Sequence, residues 1–233
     1  MRAYCLSGLA LLLSSSALFA QADDLTTILR GWEKSLAGAK TIKCQITRVS
    51  DDRALKTHDV LEGHLLFSKT AGRQQFHYEL KKDGKLADKY IVDGKDLYEY
   101  VPATNVVRIQ KMPQVKDGAL GLLSLLFDIN PQQAQARYAM EIEKAGDETD
   151  KHYHYIRIRP KGAANKGAFQ EAQVTLARST HLPRRIAYQQ INTVVITWDF
   201  KEMKLNEQIP DKLLAPALNG WRVERVQPAP AGK

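Results

Sequence analysis

About eleven short stretches of this chain alternate apolar and polar residues with a period of two, with a single long apolar interruption between them. A period of two sends successive side chains to opposite faces, so each stretch predicts a strand with one face buried. The first series is Ile42/Cys44/Ile46, Leu61/Gly63/Leu65/Phe67, Phe76/Tyr78/Leu80, Tyr90/Val92, a strand within Lys95–Val101, and Val107/Ile109. The second is Met140/Ile142, His154/Ile156/Ile158, Ala172/Val174/Leu176, Ile186/Tyr188 and Val194/Ile196/Trp198/Phe200. Asp83-Gly84 and Asp93-Gly94 separate neighbouring runs, and both residue types tolerate the positive φ of a tight hairpin; Pro102 to Asn105 makes the next turn. So many antiparallel strands with one apolar face do not lie flat in water; they curl until the apolar faces meet. The expected fold is therefore mainly β (α+β): an incomplete, strongly curved antiparallel β-barrel of about eleven strands, with helices plugging its concave side. It occupies residues 23–226 as one domain, without repeats or a linker.

The interruption is Gly118–Phe127. At about ten residues it is too short to span a bilayer, which takes roughly 20. Leu122, Leu123, Leu125, Leu126 and Phe127 leave it no polar face, so as a helix it needs cover. The pattern fits equally a helix across the mouth of the half-barrel and a core helix packed on a sheet. A second short helix follows, capped by Asn130 with Pro131 in its first turn and Ala134 and Tyr138 on one side. Together these define a lid region near residues 113–138. Before the strands, Asp24 caps a helix whose Leu25, Ile28, Leu29, Trp32 and Leu36 form one apolar stripe, ending at Gly38.

The termini read as processing and tail segments. Arg2, the apolar run Leu6 to Leu13 and Ala20-Gln21-Ala22 have the pattern of a cleaved signal peptide over residues 1–22, a retained membrane anchor being the alternative. That predicts a periplasmic or otherwise exported protein. Cys5 precedes the apolar run, so there is no lipobox. Cys44 is then the one cysteine of the mature chain; no internal disulfide forms, and its alternating position makes it a small buried hydrophobe. Pro210 and Pro216 begin a tail, and residues 227–233 read as disordered.

The net charge of +8 is spread over Lys81-Lys82, Arg157, Arg159 and Arg184-Arg185, with no RNA- or DNA-binding pattern, so no nucleic acid is expected. Acidic partners of an exported protein would instead be lipid headgroups, surface polysaccharide or protein. His152 and His154, two apart in a strand pattern, are the one metal-like pair; two ligands without a third predict structural histidines and no metal. No nucleophile elbow, H-E-x-x-H or phosphate-cradling glycine loop occurs, so neither an enzyme nor a cofactor is expected. Asp51-Asp52 and Glu141/Glu143 fall in a turn and on a wet face, where solvation accounts for them.

Gly63-His-Leu-Leu-Phe-Ser-Lys69 with Phe76-His-Tyr-Glu-Leu80, then Tyr90–Pro102 followed by Val106-Val-Arg-Ile109, resembles the early strands of the periplasmic outer-membrane lipoprotein carriers, the LolA-like proteins. Leu182-Pro183 through Phe200, and Asn206 to Pro210, are similar to that family's last strands. The resemblance implies a lidded half-barrel that holds acyl chains while they cross water. Its partners would be an acylated lipoprotein or lipid and a membrane-bound donor or acceptor protein, with the carrier a monomer. It implies a cavity and lid made by Trp32, Phe67, Phe76, Tyr78, Leu122, Leu123, Leu126, Phe127 and Trp198. In the carriers an Arg-Pro pair ends the strand that starts at the glycine, and the arginine helps hold the lid shut. Here Lys69-Thr70 stands in its place, and lysine lacks the bidentate fork of arginine. An envelope sensor or protein-interaction module on the same fold, without ligand transport, is the alternative function.

Overall fold

The computed structural model describes residues 24–70, 73–111, 125–127, 129–162, 169–190 and 193–226. Helix α1 (Leu25–Ala37) leads into β1 (Thr41–Asp52), β2 (Thr57–Thr70), β3 (Arg73–Lys82), β4 (Lys85–Val92), β5 (Asp96–Val101) and β6 (Val106–Lys111). Residues 125–127 are helical. Then come α2 (Pro131–Arg137), β7 (Tyr138–Glu143), β8 (Tyr153–Pro160), β9 (Glu171–Ala177), β10 (Pro183–Gln189), β11 (Val195–Leu205), α3 (Asp211–Leu214) and β12 (Arg222–Arg225).

All twelve strands belong to one curved sheet in the order β12-β6-β5-β4-β3-β2-β1-β11-β10-β9-β8-β7. It stays open, because the two edges, β12 and β7, do not pair. Two antiparallel meanders meet where β11 docks on β1, with Phe200 opposite Ile46 and Trp198 opposite Arg48. The predicted turns form: Asp83 and Gly84 take φ of 49° and 76°. Asp24 caps α1 by accepting from the Thr26 N–H at 2.8 Å, and Asn130 caps α2 by accepting from Gln133.

Three expectations need correction. The sheet has a twelfth strand. β12 comes from the stretch read as tail; its four residues are all exposed, so no alternation announces it. It joins β6 in parallel through its backbone, starting with the Arg222 N–H donating to the Asn105 carbonyl at 3.0 Å.

Second, one wet face per strand holds for β1 and the second meander but not for β2–β6. The second meander's convex side is laced by ion pairs, Arg159 to Glu171 at 2.7 Å and Arg185 to Asp199 at 2.6 Å among them. Glu141 and Glu143, expected to be merely solvated, pair with Arg157 there. The convex side of β2–β6 is covered instead by the segment after β11. Ile209 and Leu214 pack on Leu66, while Leu218 and Trp221 pack on Ile91, Tyr98, Tyr100, Val107 and Ile109. The Tyr100 hydroxyl ties this strap down, donating to the Ala217 carbonyl and accepting from the Ala217 N–H at 2.9 Å.

Third, the histidine pair is split. His152 ends a 3-10 turn before β8 and is exposed, whereas His154 is buried and stacks on His181 at 5.5 Å. Among the described residues no group of His, Cys, Asp or Glu is arranged to hold a metal.

Candidate ligand-binding site

The main core lies on the concave side and is made by α1, residues 125–127, Ile129 and the inward rows of β1–β5 and β7–β11. Trp32, Phe67, Phe76, Tyr78, Leu126, Phe127 and Trp198 all fall within this one buried cluster. Leu122 and Leu123 lie outside the described residues. Cys44 is buried there too, and burial pushes its thiol up to about 12, so it is an inert hydrophobe.

β2 and β3 approach each other very closely at Gly63. A Cβ on this residue would stand 1.8 Å from the Glu79 carbonyl oxygen, so β3 crosses β2 closer than any side chain permits. Gly63 faces Ile46 on one side and Leu80 on the other, at the floor of the concave face.

α1 and residues 125–127 meet over this face. The Trp32 indole N–H donates to the Leu126 carbonyl at 3.1 Å, and the Phe127 ring meets Phe200 edge-on at 5.5 Å. α1 itself is anchored at its end: Ser35 donates to the Thr180 carbonyl at 2.6 Å, and a side chain at Gly31 would strike the His181 ring. Lys69 lies at the rim, lining a crevice of about 370 Å³ with Glu33, Leu36, Ala37, Ile129, Asn130 and Gln133. It thus sits where α1, α2 and the segment leading into α2 converge.

Toward the hairpin end, the concave face turns polar, which the sequence pattern did not flag. Arg48 continues the inward row Ile42, Cys44, Ile46, and Asp88 precedes Tyr90 and Val92 in theirs. The two form an ion pair, with side chains 25% and 17% exposed. The guanidinium lies 5.6 Å from the centre of the Trp198 ring. Tyr78, its hydroxyl 3.4 Å from Asp88, packs edge-on against Trp198 at 5.5 Å and tilts onto Tyr90 at 5.1 Å. Tyr90 donates to Glu99 at 2.8 Å. Burial pushes the Asp88 carboxyl above its ordinary range, outweighing the pull of Arg48 and the Tyr78 hydroxyl. It pushes the Tyr78 phenol far up as well. Extending the alternation of β1 by one step would have found Arg48.

No family model matches the chain, and neither does any curated protein. Its fold does match solved structures. An uncharacterized conserved protein from Thermus thermophilus superposes with a TM-score of 0.55 at 15% identity, over 86% of this chain and 98% of that one. MucB superposes with a TM-score of 0.51 at 10% identity over 85% of this chain, which spans 64% of the MucB chain. A LolA superfamily protein, NE2245 from Nitrosomonas europaea, matches with a TM-score of 0.42 at 13% identity, over 82% of this chain and 97% of that one. At such identities the likeness is one of fold: the chain carries an open, curved antiparallel half-barrel with helices on its concave side.

Proposed function

We propose that this half-barrel is a binder and carrier of acyl chains or similar apolar ligands, without catalysis, and that it works in an aqueous compartment of the cell envelope reached through the signal sequence at residues 1–22. One observation carries the reading: among the described residues, the broad apolar concave face of one sheet is covered by α1, residues 125–127 and Ile129. Burying Leu126 and Phe127 stabilises the closed form by about 1.5–3 kcal/mol each. A chain of a dozen or more methylenes recovers roughly 0.8 kcal/mol for each one buried. A long acyl chain therefore outweighs the cover, whereas a short one does not. In this reading Trp32, Phe67, Phe76, Tyr78 and Trp198 line the ligand's path with Leu122, Leu123, Leu126 and Phe127 as the lid, and Lys69 at the crevice is a single-point latch.

The test is native mass spectrometry of gently purified protein, with and without added acyl lipid. A lipid adduct in the wild type that Leu126→Glu abolishes, with the fold intact by circular dichroism, supports the carrier. A protein that stays empty even with excess lipid overturns it.

The likeness in fold to MucB, which has been crystallised in complex with MucA, favours one second reading. The same half-barrel would then serve as an envelope sensor that captures a partner protein. Empty protein that co-purifies with an envelope partner would select that reading.

A further inference from the structure

We infer that Arg48 and the aromatic rings around it form a seat for the oxyanion head, carboxylate or phosphate, of an acylated amphiphile whose chain lies under the lid. The inference rests on the carrier reading and names which ligand class that carrier prefers.

A charged pair in the floor of an apolar trough does not help the fold as much as it costs. Apolar residues of similar volume often serve stability as well or better. Pairs kept for structure alone usually have their hydrogen bonds satisfied. This one does not: the Arg48 Nε and the Trp198 Nε1 are both buried without a hydrogen-bond partner. The Trp198 indole stands near enough to the Tyr188 hydroxyl to oppose the rise that burial imposes on that phenol. Even so, it makes no bond of good geometry. A buried donor left unmade keeps its desolvation cost, so an arriving acceptor has free energy to recover here.

The counter-ion is a poor match for the guanidinium. Asp88 is held above its ordinary range by burial even with Arg48 beside it. The guanidinium offers five donors in one plane, of which Asp88 takes one in this structure. Of the other carboxylates nearby, Glu99 is engaged by the Tyr90 hydroxyl and lies 3.7 Å from Arg108, and Asp59, which feels Arg48, pairs with Lys82. Arg48 is thus the cation with capacity for a second oxyanion.

Position decides what kind of ligand brings that oxyanion. Trp198 and Phe200 are successive inward residues of β11, about 7 Å apart. The Arg48 guanidinium lies over the first, and Phe127 of the lid packs on the second. An oxyanion at Arg48 therefore sits beside the lid's edge. A chain attached to it runs on into the space that Phe127 and Leu126 fill, toward Ile46, Cys44 and Ile42.

The experiment compares hexadecanoate, hexadecyl phosphate, hexadecanol and inorganic phosphate by calorimetry on the full chain. Both charged amphiphiles should bind the wild type about 10- to 100-fold more tightly than hexadecanol, the span that a charge-assisted hydrogen bond provides. Inorganic phosphate alone should not bind, since the chain supplies most of the affinity. Arg48→Met should bring the charged ligands down to the affinity of hexadecanol and leave hexadecanol unchanged. Because that variant strands Asp88, Arg48→Met/Asp88→Leu provides the same comparison with the pair removed whole. If hexadecanol binds the wild type as tightly as hexadecanoate, or if the double variant keeps the preference for charge, the seat is overturned while the carrier stands. Binding of phosphate without a chain marks an anion site unconnected with the lid and also overturns it. If none of the long-chain compounds binds, the carrier reading falls and this inference with it.

Discussion

Arg48 on β1 and Asp88 on β4 form an ion pair although two strands lie between them. In a flat sheet three strand spacings put their backbones about 14 Å apart. Direct contact therefore records how sharply the sheet curves between β1 and β4. Neutralising one member should cost more than removing both. We expect Asp88→Leu alone to lower stability by about 1–3 kcal/mol, because it leaves a guanidinium part-buried and unpaired. Arg48→Met/Asp88→Leu should recover most of that. Urea denaturation of the three proteins measures the difference, and additive losses would contradict it.

Gly63→Ala should be among the most damaging single-methyl changes in the chain. The new Cβ would meet the Glu79 carbonyl, backbone that has no side-chain rotamer to yield. A loss of about 3 kcal/mol or more is expected, at the severe end of single substitutions. Gly38→Ala is the control: its φ is −88° and nothing lies within 4 Å of the added carbon. It should be neutral or stabilise by about 0.5 kcal/mol. Equal midpoints for the two variants in urea would count against the close crossing of β2 and β3.

Trp32→Phe keeps an aromatic ring, loses part of the indole's bulk and removes the N–H that reaches Leu126. Without that bond the segment at 125–127 should open more often, its amides exchanging with deuterium about tenfold faster for a loss near 1.4 kcal/mol. Amides in the middle of β1 should keep their protection. Unchanged exchange at 125–127 would mean that apolar contact alone holds the cover.

His77 predicts how the strap responds to acid. Buried on the convex side, its Nδ1 lies 2.5 Å from the Leu213 carbonyl, and burial lowers its pKa to about 4. His64 and Lys89 oppose its protonation and Glu79 favours it, all three more weakly than burial. Since the folded value lies below the unfolded one near 6.5, the stabilisation is complete above pH 6.5. It is lost as pH falls toward 4, to a total of about 3 kcal/mol. His77→Gln should flatten the stability profile between pH 7 and 4.5, measured by urea midpoints. A variant with the wild-type slope would assign the acid response to other groups.

Much of the architecture was legible because it is written in local alternation. Ile42/Cys44/Ile46 and Val194/Ile196/Trp198/Phe200 each declare a face, and Asp83-Gly84 declares a hairpin. The strap was not legible. Ile209, Leu214, Leu218 and Trp221 lie in a stretch with no regular period, and their partners on β2–β6 are more than a hundred residues away in the chain. Arg48 and Asp88 were missed for the opposite reason: they obey the period, but a charged residue at an inward position looks like the end of the buried run. His152 shows the same limit from the other side, since a two-residue spacing places side chains together only when both residues lie within the strand.

The central strand β1 takes one neighbour, β2, from the residues that follow it and the other, β11, from nearly the far end of the chain. The strap and β12, which finish the convex side and the edge of the first meander, come later still. As the chain emerges in order, six strands wait with neither face sealed. Topologies dominated by such distant pairings fold slowly. A chain clipped before residue 209 would therefore hold the first meander's sequence without the strap that covers its convex side.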